Sequence, residues 1–164
     1  MFVIREDLPP ILRPIAFLLG VWEGEGVGEY PTITGFSYKQ RLTIEPVEGR
    51  PYFIHESRTW HPETNLAMGS EVGFWRPQED GTVELVLAHQ SGIVEVYYGK
   101  VTARSVELTT DAVVRTASAK EVTAEHRLYG IAPDEDLAYV VEMAAVGQPL
   151  KPHLSAKLLR IADF

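Results

Sequence analysis

The 164-residue sequence predicts an all-β chain, a ten-stranded antiparallel up-and-down barrel with a short N-terminal helical segment, and three observations lead there. Segments of about eight to eleven residues rich in Val, Ile, Thr, Tyr and Phe recur along the chain with turn residues between them, the pattern of an all-β sandwich or barrel. Most of the joints are too short for a crossover helix, so successive strands must pair antiparallel as hairpins. Ten strands in an open meander would leave two exposed edges, and closure removes both. A barrel of that many strands is wider than its own side chains can fill, so an internal cavity follows.

The elements follow in chain order. Pro9 through Leu19 sets Ile11, Leu12, Ile15, Ala16, Leu18 and Leu19 at three-to-four spacing before Gly20, predicting a helical lid or plug of one to three turns that Pro14 interrupts. Gly20-Val21-Trp22-Glu23-Gly24-Glu25-Gly26 opens the first strand, over 21–28. Glycine in a strand marks a bulge, a bend or a close approach, and Trp22 fills the space these glycines leave, which reads as the barrel's mouth. Further strands are expected over 36–46, 51–60, 66–76, 82–89, 92–101, 104–110, 120–129, 137–146 and 153–162. The separators carry plain turn chemistry, as in Glu48-Gly49-Arg50, Pro62-Glu63-Thr64-Asn65, Ser91-Gly92 and Gly147-Gln148-Pro149.

Composition narrows the function. With 45% apolar residues, the chain is expected to form one domain over 1–164. A net charge of −8, spread without blocks, argues against nucleic acid or an anionic membrane as partner. The absence of cysteine excludes disulfides, a thiolate nucleophile and Cys-ligated metal, and fits a reducing compartment. Met1 through Asp7 lacks the basic and apolar regions of a signal peptide, and no eighteen apolar residues run together, so a cytoplasmic location is expected. A monomer, or a homodimer joined through one barrel wall, is expected.

Val83, Leu85 and Leu87 share the parity of His89, which places His89 on the interior wall. It is either a satisfied strand-end histidine or a polar group facing a ligand. Met143 continues the apolar row Leu137, Tyr139 and Val141, where core packing is the ordinary role. Gly147-Gln148-Pro149-Leu150-Lys151-Pro152 fixes the backbone just before His153, a rigid mount for a metal-binding imidazole. Ser155 and Lys157 share the parity of His153 while Leu154, Ala156 and Leu158 form the apolar row. Either a bulge shifts the register after His153 or the residue sits above the strand. His55, His61 and His126, in polar surroundings, read as solvated or rim residues. No zinc motif, nucleophile elbow, dinucleotide fingerprint or phosphate loop is present.

Leu19-Gly20-Val21-Trp22-Glu23-Gly24-Glu25-Gly26, Tyr30-Pro31-Thr32-Ile33, Gly73-Phe74, Gly92 to Val96, Ala119-Lys120-Glu121-Val122 and Gln148 to Leu154 together resemble the nitrobindin family over nearly the whole chain. The resemblance implies a fatty-acid-binding-protein-like barrel holding heme b, with His153 as the iron's one protein ligand and the opposite position open or water-filled. It further implies that the ferric heme isomerises peroxynitrite to nitrate and that nitric oxide binds. Thr32, Lys120 and Met143 stand where the family places heme contacts, and His89 stands where some members carry glutamine. In Met68-Gly69-Ser70-Glu71, Gly69 replaces a pocket-facing histidine of many members, so the far side of the pocket is altered. The rival expectations are a heme-free carrier of a fatty acid or other apolar molecule, and an interaction module with a vestigial pocket.

Overall fold

The structure, a computed structural model, describes residues 7–164; the signal-peptide reading of the N-terminus falls mostly on residues 1–6, outside the described residues. Ten strands run in order: β1 (Gly20–Gly28), β2 (Phe36–Pro46), β3 (Phe53–Trp60), β4 (Ala67–Pro77), β5 (Thr82–His89), β6 (Ile93–Thr102), β7 (Ser105–Arg115), β8 (Val122–Ile131), β9 (Leu137–Ala145) and β10 (Lys151–Ala162). Each pairs antiparallel with the next, and β10 pairs with β1, closing the barrel. The expected strands are all present, most within one or two residues of their expected ends. The clear departure is β7, expected over 104–110. Against β6, Val96 pairs with Ala112 and Tyr97 with Thr110, so Asp111 is bulged out and the strand resumes beyond it.

One end of the barrel is solid. A 3-10 helix, Pro10–Leu18, carries Leu12, Ile15 and Leu18 three residues apart, the period of this tighter helix, so all three share one buried stripe. That stripe joins Trp22, Leu42, Phe53, Trp75, Leu85 and Leu158 in one apolar core. The Trp22 indole Nε1 donates to the Leu18 carbonyl at 2.9 Å, and the Arg160 guanidinium lies 4.3 Å from its ring centroid. Trp22 therefore marks the plugged end, and its reading as the mouth is corrected: β1 starts at the plug and climbs to the open end. The glycines of β1 do serve close approach. The ring of Tyr38 stands where a Cβ on Gly26 would be, with its Cζ 2.3 Å from that position. No helix among the described residues is long and apolar enough to cross a membrane.

Candidate functional site

The other end of the barrel is hollow. A cavity of about 770 Å³ opens there, lined by Tyr30, Thr32, Gly69, His89, Lys120, Met143, His153 and neighbouring residues. That volume lies within the roughly 300–1,000 Å³ of sites that hold small organic ligands. Thr32, His89, Lys120, Met143 and His153, far apart in sequence, thus share one wall system. Thr32 and Lys120 are exposed at the rim, while His89, Met143 and His153 are half-buried.

His153 owes its place to a bulge. Pro152 pairs with Glu142 and Leu154 with Val141, leaving His153 unpaired between them, so that consecutive residues His153 and Leu154 both line the cavity. Of the two expectations for this segment, the register shift is the one observed. The carbonyl of His153 accepts the Glu29 amide at 2.8 Å, and its Nδ1 lies 3.1 Å from the Glu29 carbonyl. Only a protonated Nδ1 can donate to a carbonyl, so the neutral ring carries its lone pair on Nε2. Burial lowers the imidazole's pKa, which favours that neutral form. Tyr30 packs edge-on against the ring at 5.7 Å between centroids, and its hydroxyl is tied to the end of β9 by the Ala145 amide at 2.9 Å. His153 Nε2 makes no hydrogen bond among the described residues.

Beneath the cavity lies a charged network that the sequence reading did not assemble. Arg127, on β8, is 4% exposed and grips Glu71 of β4 through two bonds of 3.0 Å. Burial works to raise the Glu71 pKa, but Arg127 and His55 outweigh it and hold the carboxyl well below the usual range. The Trp75 indole donates to His55 Nδ1 at 3.1 Å, so the His55 proton sits on Nε2 and is donated to Glu71 at 2.9 Å. His55 is thus fully buried and doubly bonded, which corrects its reading as a solvated residue. Its sequence neighbours Ile54 and Glu56 face outward, and the relevant neighbours are Phe53 and Ser57, two residues away on the inner face.

Glu95 and Glu125 complete the network. The Tyr97 hydroxyl accepts from Arg127 Nε at 2.8 Å and touches both Glu95 and, at 2.7 Å, Glu125. A phenol has one proton to give, so one of the two carboxyls must itself be protonated. Burial, reinforced by Glu95 against the pull of Arg127, pushes Glu125 up to about 8. For Glu95 burial acts the same way, yet contact with His89 and the charge of Arg127 leave it lowered. The proton therefore resides on Glu125. A second chain runs from Tyr38 to Tyr139 at 2.6 Å, on to Gln40 at 2.7 Å and to Ser57 at 2.8 Å. The missed signal was charge at inward parity: Glu95 alternates with Ile93 and Tyr97, and Glu125 and Arg127 with Tyr129.

Such a barrel, solid at one end and hollow at the other, with His89 and His153 lining the hollow, defines a small-molecule-binding β-barrel protein. The family model for the THAP4-like, heme-binding beta-barrel domain matches residues 11–160, and the chain belongs to that family, the nitrobindins. A protein of Nocardioides sp. named peroxynitrite isomerase is 48% identical, over 97% of this chain and 98% of its own length. Another of that name, from Frankia casuarinae, is 44% identical over 96% of this chain and 89% of its own. The crystal structure of Rv2717c from M. tuberculosis superposes with a TM-score of 0.86 at 41% identity, covering 94% of this chain and 99% of that one.

Proposed function

We propose that the cavity binds one heme b through His153 and that the loaded protein isomerises peroxynitrite to nitrate and binds nitric oxide. The observation that carries this reading is the His153 imidazole: neutral, its tautomer fixed by Glu29, with Nε2 unengaged at the wall of the 770 Å³ cavity. Among the described residues no three His, Cys, Asp or Glu side chains cluster as a metal site. A metal held by His153 would accordingly have to bring its remaining ligands with it, as a porphyrin does. With no cysteine in the chain, thioether attachment is ruled out and the b-type group fits.

When bound, heme would supply a ferric iron as Lewis acid for the rearrangement of peroxynitrite to nitrate. The chain's own part is to hold and enclose. His153 would hold the iron through its neutral imidazole, and the Glu29 carbonyl would keep that ring from turning. Lys120, exposed at the rim, would pair with a heme propionate, and the Thr32 hydroxyl would add a second polar contact there. Met143, Val141 and Ile93 give the apolar walls that keep bulk water from the reacting anion.

The test is a hemin titration. The wild-type chain is expected to develop a Soret band saturating at one hemin per chain and to speed peroxynitrite decay in stopped flow with nitrate as product. His153→Leu is expected to lose stable hemin uptake while its circular dichroism and melting curve stay those of the wild type. An unchanged Soret band and hemin affinity in His153→Leu would remove His153 from this role. A wild-type chain with no Soret band would favour the carrier.

A further inference from the structure

We propose that His89, held between Glu95 and Glu71 on the wall opposite His153, is the hydrogen-bond donor that selects a small anion as the ligand of this cavity. Round the closed ring of ten strands, β5 lies five positions from β10 in either direction, so His89 and His153 face each other across the hollow. His89 is 17% exposed, its Nε2 lies against the Glu95 carboxylate, and Glu95 is 1% exposed. Its Nδ1 lies 3.7 Å from Glu71 Oε2, beyond hydrogen-bond length, and Glu71 is already taken up by Arg127 and His55. A ring with a carboxylate on each side is favoured as imidazolium, and its Nδ1–H is then a donor without an acceptor on a residue that lines the cavity.

The surrounding charges support that protonation state. On β4 the facing group is Glu71, with His55 of β3 behind it; on β6 they are Glu95 and Tyr97; on β8 they are Glu125 and Arg127. Burial and Arg127 work against a charged imidazole, but Glu95 and Glu71 outweigh them and raise its pKa. The protonated Glu125 matters as well: it gives Tyr97 a proton to accept, Tyr97 turns its own toward Glu95, and Glu95 keeps its charge for His89. Gly69, two residues before the Glu71 that pairs with His89, lines the same cavity and adds no side chain to this wall. A cationic donor on that side favours an anion bound opposite His153 over a neutral diatomic.

The inference rests on the heme reading, and its test separates the two. In the full chain before hemin is added, the ring ¹⁵N resonances of His89 are expected to titrate above the ordinary imidazole value, and Glu95→Gln is expected to move that titration to lower pH. In the hemin-loaded ferric protein, fluoride is expected to bind about ten- to a hundredfold tighter to wild type than to His89→Leu at pH 6, the range of one charge-assisted hydrogen bond. That ratio should shrink as pH rises through the His89 titration, and His89→Gln, which keeps a donor, should recover part of it. Equal fluoride affinity in wild type and His89→Leu at every pH, with Soret bands intact, would overturn the inference alone, as would an imidazole titrating below its ordinary value. A wild-type chain that takes up no hemin overturns the proposed function and the inference with it, and that failure appears before any fluoride is added.

Discussion

Arg127 shows what a single residue can decide in this barrel. Its guanidinium reaches Glu71 twice, Glu125, Tyr97 and Tyr129, and burial would lower its pKa were it not for those partners, which raise it well above the ordinary value. Removing one member of a buried ion pair costs about 3–5 kcal/mol because the other charge is left without compensation. Arg127→Met is therefore expected to destabilise the protein by about that much in urea or guanidinium unfolding. Arg127→Met combined with Glu71→Gln should recover part of the loss, since both charges then leave together. A loss under about 1 kcal/mol for the single variant would mean that water, not Arg127, satisfies Glu71. At this scale the sequence was only partly legible. His89, Met143 and His153 were legible because parity or rigid flanking turns marked them, whereas His55, Glu95, Glu125 and Arg127 were hidden by their polarity. Pattern reading sends charged residues outward, and an inward charge becomes intelligible only when its partner on another strand is known, as Glu71 is for Arg127.

At the scale of elements, the strands were legible and their irregularities only in part: the apolar row Leu154, Ala156 and Leu158 allowed a register shift after His153 as one of two readings, whereas nothing in the sequence marked the bulge at Asp111. Alternation and turn residues locate a strand locally, but a bulge is a relation between two strands, as at Asp111 against β6 and His153 against β9. The plug was legible as a helical segment, though three-residue spacing of Leu12, Ile15 and Leu18 is what makes it 3-10. Glycines on strands carry the complementary information, marking where backbones come close. A Cβ on Gly73 of β4 would lie 1.7 Å from the Val86 carbonyl oxygen on β5, and a paired backbone cannot yield as a side chain can. Gly73→Ala is expected to destabilise the protein by about 3 kcal/mol, the upper range for overpacking, and to loosen β4–β5 pairing above all. Amide hydrogen exchange should show protection lost first at Val86, Leu87 and Ala88. Unchanged protection and stability would mean that the two strands sit farther apart than described.

For the whole molecule, the buried network is the floor between a solid half and a hollow half, and it ties folding to pH. Glu125 sits near 8 in the folded chain against an ordinary 4.5, so between those values the native state keeps a proton that the unfolded state releases. Stability falls with rising pH wherever the native state binds more protons. The contribution of Glu125 is thus fully present below about 4.5, declines through that window, and is gone above about 8. His89, raised by Glu95 and Glu71 against burial, adds a slope of the same sign near neutrality, while His153, lowered by burial, opposes it. Glu71 and Glu95, both lowered, lose their contributions only at acid pH, below the window. Comparing wild type with Glu125→Gln isolates the one group, because the amide keeps the size and the hydrogen-bonding edge but cannot titrate. Urea unfolding from pH 5 to 8 should show wild-type stability falling relative to the variant, by at most about 1.4 kcal/mol per pH unit, the ceiling for a single proton. Parallel pH profiles would place the shared proton on Glu95, and His89 would then lose the carboxylate that keeps it charged.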